Sequence, residues 1–91
     1  MNKAQLVDEI SERTGLSKKD ITKVIDALVS AIMQAVSNGD KVGLVGFGTF
    51  ERRERSARTG RNPKTGEPIE ISASSVPVFK AGKQFKETVN F

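Results

Sequence analysis

Apolar and polar positions alternate with two different periods along this chain. Over the first third the period is helical. Leu6, Val7 and Ile10 share one side, opposite Asp8, Glu9 and Glu12, which predicts a first helix from Asn2 to Thr14. Asn2 is placed to cap it, with Gln5 three residues on as in a capping box, and Gly15 supplies the left-handed residue that ends it. Ser17 to Ser37 predicts a second, longer helix, capped by Ser17 and carrying Asp20 in its first turn. From Ile21 to Val36 the polar residues are Thr22, Lys23, Asp26, Ser30 and Gln34, a narrow stripe. A surface helix has a wider polar face, so this one is expected to be buried on most sides. A chain of 91 residues supplies little cover for it. The pattern therefore predicts an intertwined dimer in which this helix packs against both subunits, with a generous monomer core as the alternative.

Beyond Asn38-Gly39-Asp40 the period falls to two. Lys41 to Val45 and Thr49 to about Arg53 predict two strands around Gly46-Phe47-Gly48, a hairpin whose glycines let the backbone approach a neighbour closely. Phe47 and Phe50 read as core. The stretch from Phe50 to Arg58 is ambiguous by local rules. Glu51 with Arg55 and Glu54 with Arg58 are helix-favouring pairs, yet only Ala57 could be buried, so a helix here has no face to dock. Ile69 and Ile71 alternate with Glu70 and Ser72. With the turn-forming Asn62-Pro63-Lys64-Thr65-Gly66 between two extended runs, this predicts a long β-ribbon that cannot fold onto the body and is mobile without a partner. Val76-Pro77-Val78-Phe79 returns to the sheet, Pro77 restricting it to an edge. Lys83 to Val89 predicts a short last helix, with Phe85 and Val89 closing the core and Lys80, Lys83 and Lys86 clustered near its start.

Charge gives the ribbon a purpose. Arg52 to Gly66 holds Arg52, Arg53, Arg55, Arg58, Arg61 and Lys64 against one acid, Glu54, a net of +5 where the whole chain is +4. The positive charge thus belongs to one place, and a basic segment ending in an Asn-Pro turn suits contact with a polyanion. The chain has no Cys and no His, and neither Trp nor Tyr. Disulfides and thiolate metal sites are therefore excluded, which suits a reducing cytoplasm, and the commonest general base is missing. No paired carboxylates, phosphate loop or nucleophile elbow is present, so neither catalytic residues, a cofactor, a metal nor a small-molecule substrate is expected. Apolar runs reach only three residues, so no membrane span or secretory leader is expected.

Gly46-Phe47-Gly48-Thr49-Phe50, followed by Arg55, Arg58, Gly60 and Arg61-Asn62-Pro63-Lys64-Thr65-Gly66, resembles the signature of the bacterial HU and integration host factor family of histone-like DNA-bending proteins. Val76 to Lys83 and Gly39-Asp40-Lys41-Val42 add further matches, and the likeness runs from Met1 to Phe91, closer to HU than to integration host factor. Phe85 stands where the family often has Leu, and Phe91 ends the chain with an exposed-looking aromatic; both bear on packing of the last helix.

The resemblance implies an α+β fold in a single domain over 1–91. Residues 1–38 form a two-helix dimerisation base, and residues 39–91 a three-stranded antiparallel saddle. The arm spans about 53–75 and the C-terminal helix about 83–90. Phe50 to Arg58 is then strand. Leu28, Ile32, Phe47, Phe50 and Phe79 are the implied dimer core. The implied partner is double-stranded DNA, bound by a homodimer or, alternatively, by a heterodimer with a related chain. Arg53, Arg55, Arg58, Arg61, Asn62 and Lys64 are the expected arm contacts, flat guanidinium groups suiting a narrow groove. Pro63 is the expected wedge between base pairs. Lys3, Lys80, Lys83 and Lys86 are the expected phosphate contacts on the flanks. The implied function is a histone-like protein of the nucleoid that binds duplex DNA with little sequence preference, bends it and compacts the chromosome. A sequence-directed bender is one alternative. An RNA-binding basic protein is another, disfavoured because paired stacking aromatics are lacking.

Overall fold

The computed structural model describes residues 1–90; Phe91 lies outside them. The chain divides into two compact units, Met1–Gln34 and Ala35–Phe91. The division falls within the second helix, a few residues before the Asn38 boundary expected for the base.

The first unit holds α1 (Lys3–Thr14) and most of α2 (Lys18–Ser37). The capping box forms as expected: Asn2 Oδ1 accepts from the Gln5 N–H and Gln5 Oε1 accepts from the Asn2 N–H, both at 2.9 Å. Gly15 adopts φ 74° and donates its N–H to the Ser11 carbonyl at 2.8 Å. Ser17 Oγ accepts from the Asp20 N–H at 3.2 Å, the cap expected for α2. Two ion pairs tie the helices, Lys18 to Asp8 at 3.0 Å and Lys3 to Asp26. Val7 and Ile21 are buried, and Ile10 is half-buried. Burial of α2 on most sides is not met within one chain: Val24, Leu28 and Val29 are exposed and Met33 is 66% exposed. The reason is geometric, since a 12-residue neighbour can shield only one side of a 20-residue helix.

The second unit begins with the last turn of α2, where Val36 is buried. Gly39 at φ 89° turns the chain, and the Asp40 N–H returns to the Ala35 carbonyl at 2.9 Å. β1 (Val42–Leu44), β2 (Gly48–Arg55) and β5 (Ser74–Ala81) form an antiparallel sheet in the order β1-β2-β5. β3 (Arg58–Arg61) and β4 (Pro68–Ile71) form a separate two-stranded ribbon. Phe50 to Arg55 lies in register on β5, so strand wins over helix there. Cross-strand partners reward the extended form, whereas a helix of these residues would bury nothing. Pro77 sits opposite Arg52 on the edge strand β5, where a missing N–H is tolerated.

α3 (Lys83–Val89) closes the unit. Phe47, Phe50, Phe79 and Phe85 make its aromatic cluster, with ring centroids 4.7 Å apart for Phe50–Phe79, 5.1 Å for Phe47–Phe79 and 5.2 Å for Phe47–Phe85. Phe85 thus joins the core as expected. Val89 does not within one chain: at the last position of the seven-residue helix it is 60% exposed. Gly48 and Gly82 carry the close approaches. A Cβ on Gly48 would lie 2.5 Å from both the Lys80 carbonyl and the Phe79 ring, and one on Gly82 would lie 3.0 Å from Gly46 backbone. Leu28, Phe47 and Phe79 remain exposed in the single chain, while Ile32 and Phe50 are half-buried.

Candidate nucleic-acid interface

The expected arm begins on β2 and β5. Their ladder ends at Arg55 opposite Ser74, and the ribbon ladder starts at Arg58 opposite Ile71, three residues further along each strand. The break at Ser56-Ala57 and Ser72-Ala73 therefore leaves the register unshifted. Side chains alternate along a strand, so Thr49, Glu51, Arg53 and Arg55 share one face of β2, with Lys80, Val78, Val76 and Ser74 beside them on β5. Phe50, Arg52 and Glu54 share the other face with Phe79, Pro77 and Ser75. In the ribbon, Arg61 pairs with Pro68 and Arg58 with Ile71, an odd separation that places the two arginines on opposite faces. The four expected arm arginines therefore do not form one row. Arg53 and Arg55 share a face, while Arg58 and Arg61 flank the ribbon from both sides.

The tip is built by local hydrogen bonds. Asn62 donates its N–H to the Glu67 carbonyl at 2.8 Å, and its own carbonyl accepts the Gly66 N–H at 2.7 Å. Its side-chain Oδ1 accepts the Lys64 N–H at 2.9 Å, an Asx turn that presets the corner. Gly66 adopts φ 73°, which a side chain would disfavour. Pro63 is exposed on the corner. Asn62 is foremost a turn-former, since its backbone N–H, its carbonyl and its side-chain oxygen all bond within the turn.

Charge is handled differently along the unit. Among the described residues no ion pair involves Arg53, Arg55, Arg58, Arg61, Lys64 or Lys86. Lys80, by contrast, pairs with Glu51 at 2.8 Å, and Lys41 reaches the same carboxylate at 3.5 Å. Glu51 sits on the central strand with only 12% of its side chain exposed, bridging lysines from the two flanking segments. The Lys80 hydrogen bond holds its carboxyl below the usual carboxylate range; burial opposes this, and the charges of Lys80 and Lys41 reinforce it. Lys83 lies 4.0 Å from Glu87 and is well exposed. Lys86 is the fourth of the seven residues of α3, so it belongs to both its first and its last turn. Lys3 belongs to the first unit and is held by Asp26.

Two residues have structural roles that the sequence pattern does not single out. In the sequence Glu51 is only a helix-pairing acid; its one signal is a lone carboxylate at strand spacing from Thr49, on the same face of β2. Arg52 counts in the sequence as part of the basic arm. It instead donates from Nη1 to the Ser37 carbonyl at 2.9 Å, while its Nε lies 3.0 Å from Glu54.

Comparison with known proteins places this architecture. The profile of a family described as bacterial DNA-binding protein matches residues 1–90. DNA-binding protein HU 1 of Bacillus subtilis (strain 168) is 57% identical over 89 residues, covering 98% of this chain and 97% of its own. DNA-binding protein HU of Geobacillus stearothermophilus is also 57% identical over 89 residues, covering 98% and 99%. Among solved structures, an Anabaena HU–DNA cocrystal structure superimposes with a TM-score of 0.87 at 56% identity, over 98% of this chain and 97% of that one. HU from Thermotoga maritima gives a TM-score of 0.70 at 32% identity, over 99% and 100%.

Proposed function

The chain belongs to the bacterial DNA-binding protein family and is of the HU type; on that premise we propose that it acts as a dimer whose two ribbons grip duplex DNA in the minor groove and bend it. The observation that carries this reading is the contrast in pairing. The ribbon and its root present Arg53, Arg55, Arg58, Arg61 and Lys64 without ion pairs among the described residues, and end in an exposed Pro63. Unpaired basic groups are the ones a phosphate backbone can neutralise with release of counterions. A planar guanidinium fits a narrow groove, and a proline at the tip is a stiff apolar plate with little entropy to lose on insertion. Unstacking one base step costs about a few kcal/mol, offset by the contacts that bent DNA permits. The exposed Val24, Leu28, Val29 and Met33 of α2 in the first unit, and by themselves Phe47 and Phe79 in the second, are apolar groups that a second copy would cover. In this reading the protein packages the chromosome in the nucleoid, with little base preference, because the minor groove distinguishes little beyond A·T from G·C.

The test is a bend-sensitive fluorescence transfer titration on two end-labelled duplexes of equal length and unrelated sequence, each at two salt concentrations. Similar affinity and bending on both, with a steep salt dependence, is the expected result. Bending of only one duplex would mean sequence-directed action in the manner of integration host factor. Binding without bending would remove the Pro63 wedge.

A further inference from the structure

The basic segment contains one arginine that does not behave like the others. Arg52 lies on the face of β2 opposite Arg53 and Arg55. Its Nη1 donates to the carbonyl of Ser37, in the last turn of α2, at 2.9 Å. Its guanidinium also lies over Gly39, where a Cβ would stand 3.4 Å from Nη2. Its Nε pairs with Glu54 Oε1 at 3.0 Å, and the other oxygen of Glu54 accepts from Ser75 Oγ at 3.0 Å. Ser75 is the cross-strand partner of Glu54, and only the Arg55–Ser74 pair lies beyond it before the ladder breaks. The chain of interactions therefore runs from the C-terminal turn of α2, through Arg52 and Glu54, to the root of the arm on its back face.

We propose that Arg52 and Glu54 are positioning residues that brace the arm's root against the end of α2 and thereby set how far the arms bend DNA, and that Arg52 is not itself a phosphate contact. The physical grounds are threefold. A helix C-terminus carries the negative end of the helix dipole and favours a cation, so the Ser37 carbonyl holds the guanidinium by hydrogen bond and dipole together. The arginine fork satisfies the carbonyl and the carboxylate at once, which a lysine's single ammonium does less well. Glu54 uses both oxygens, one toward its own strand and one toward β5, so it locks the last rungs across the ladder. Beyond them, Ser56-Ala57 and Ser72-Ala73 are outside both ladders, and an unbraced root would transmit less of the arm's grip to the duplex.

This inference rests on the proposed bending function, so it is tested both with DNA and without. In the free protein, amide hydrogen exchange of Arg52→Ala and of Glu54→Gln is expected to rise about fivefold at Arg53, Arg55 and Val76, whose N–H groups face the neighbouring strand in this register, while staying unchanged in the Phe47–Phe79 cluster. Unchanged exchange at the root overturns the brace, whatever the DNA does. With DNA, Arg52→Ala and Glu54→Gln are expected to bend a labelled duplex less at saturation, with the salt slope unmoved. Arg52→Lys keeps the charge and is expected to bend as poorly as Arg52→Ala. The alternative, a phosphate contact, lowers the slope of Arg52→Ala by about 0.9 for each phosphate no longer neutralised and leaves Arg52→Lys near wild type. Tighter binding by Glu54→Gln with unchanged bending would equally overturn the proposal. If the wild-type protein does not bend DNA at all, the bending function fails, and hydrogen exchange alone decides whether the brace exists.

Discussion

The three-stranded sheet and the two-stranded ribbon share one register but are held together by different means. In the sheet, side chains do the holding. Phe50 lies on Phe79, Phe47 lies on Phe79 and Phe85, and Glu51 binds Lys80 and Lys41. In the ribbon, backbone does the holding. The β3–β4 ladder and the Asn62 turn carry it, Ile69 and Ile71 remain exposed, and its arginines have no acidic partner among the described residues. A two-stranded ribbon alone is marginal in water. The difference teaches where the chain keeps its stability and where it keeps its charge. Paired charge lies in the body, and unpaired charge lies in the ribbon, the part that the proposed function assigns to DNA.

The comparison breaks most visibly if the ribbon is stripped of charge. Arg55→Ala, Arg58→Ala and Arg61→Ala together are expected to weaken duplex binding by about a hundredfold or more at moderate salt. The salt slope is expected to fall by about 0.9 for each phosphate no longer neutralised, with the melting temperature nearly unchanged. A titration over salt alongside thermal melting checks both halves. The converse change belongs to the body. Phe79→Ala removes a ring that touches Phe47 and Phe50, and a loss of about 2–3 kcal/mol in stability is expected by denaturant unfolding, below the fully buried value because Phe79 is partly exposed.

Pro63→Ala sharpens the contrast within the ribbon. The Asn62 turn persists without proline, so the fold is expected to be kept while bending falls; an unchanged bend with wild-type affinity would rule out the wedge. The flank lysines allow a finer comparison. Lys83 is well exposed and only 4.0 Å from Glu87, so Lys83→Ala is expected to reduce the salt slope by about one phosphate's worth. Lys80 is already held by Glu51, and Lys80→Ala is expected to move the slope less. The smallest effect is in pH. Glu51 has its carboxyl depressed by Lys80 and Lys41 in the folded state, so its contribution to stability is present above the ordinary carboxylate range and lost as pH falls through the depressed value. Urea midpoints of wild type and Glu51→Gln are expected to converge on acidification.

Local chemistry determined much of this protein before any folding was considered. The Asn2 and Ser17 caps, the Gly15 stop, the glycine-flanked hairpin, the Asn62 turn and the short last helix are each set within a few residues, where spacing and capping decide. The concentration of arginine in one apolar-poor segment likewise marked the candidate interface. Tertiary structure decided what depends on partners distant in sequence. Helix pairs at spacing four suited Phe50 to Arg58, and cross-strand packing on β5 overrode them. Arg52 is chemically indistinguishable from Arg53 in the sequence. Strand alternation sends one back to Ser37 and Glu54 and leaves the other, exposed, on the opposite face, because a side chain's role follows from the neighbour across the fold.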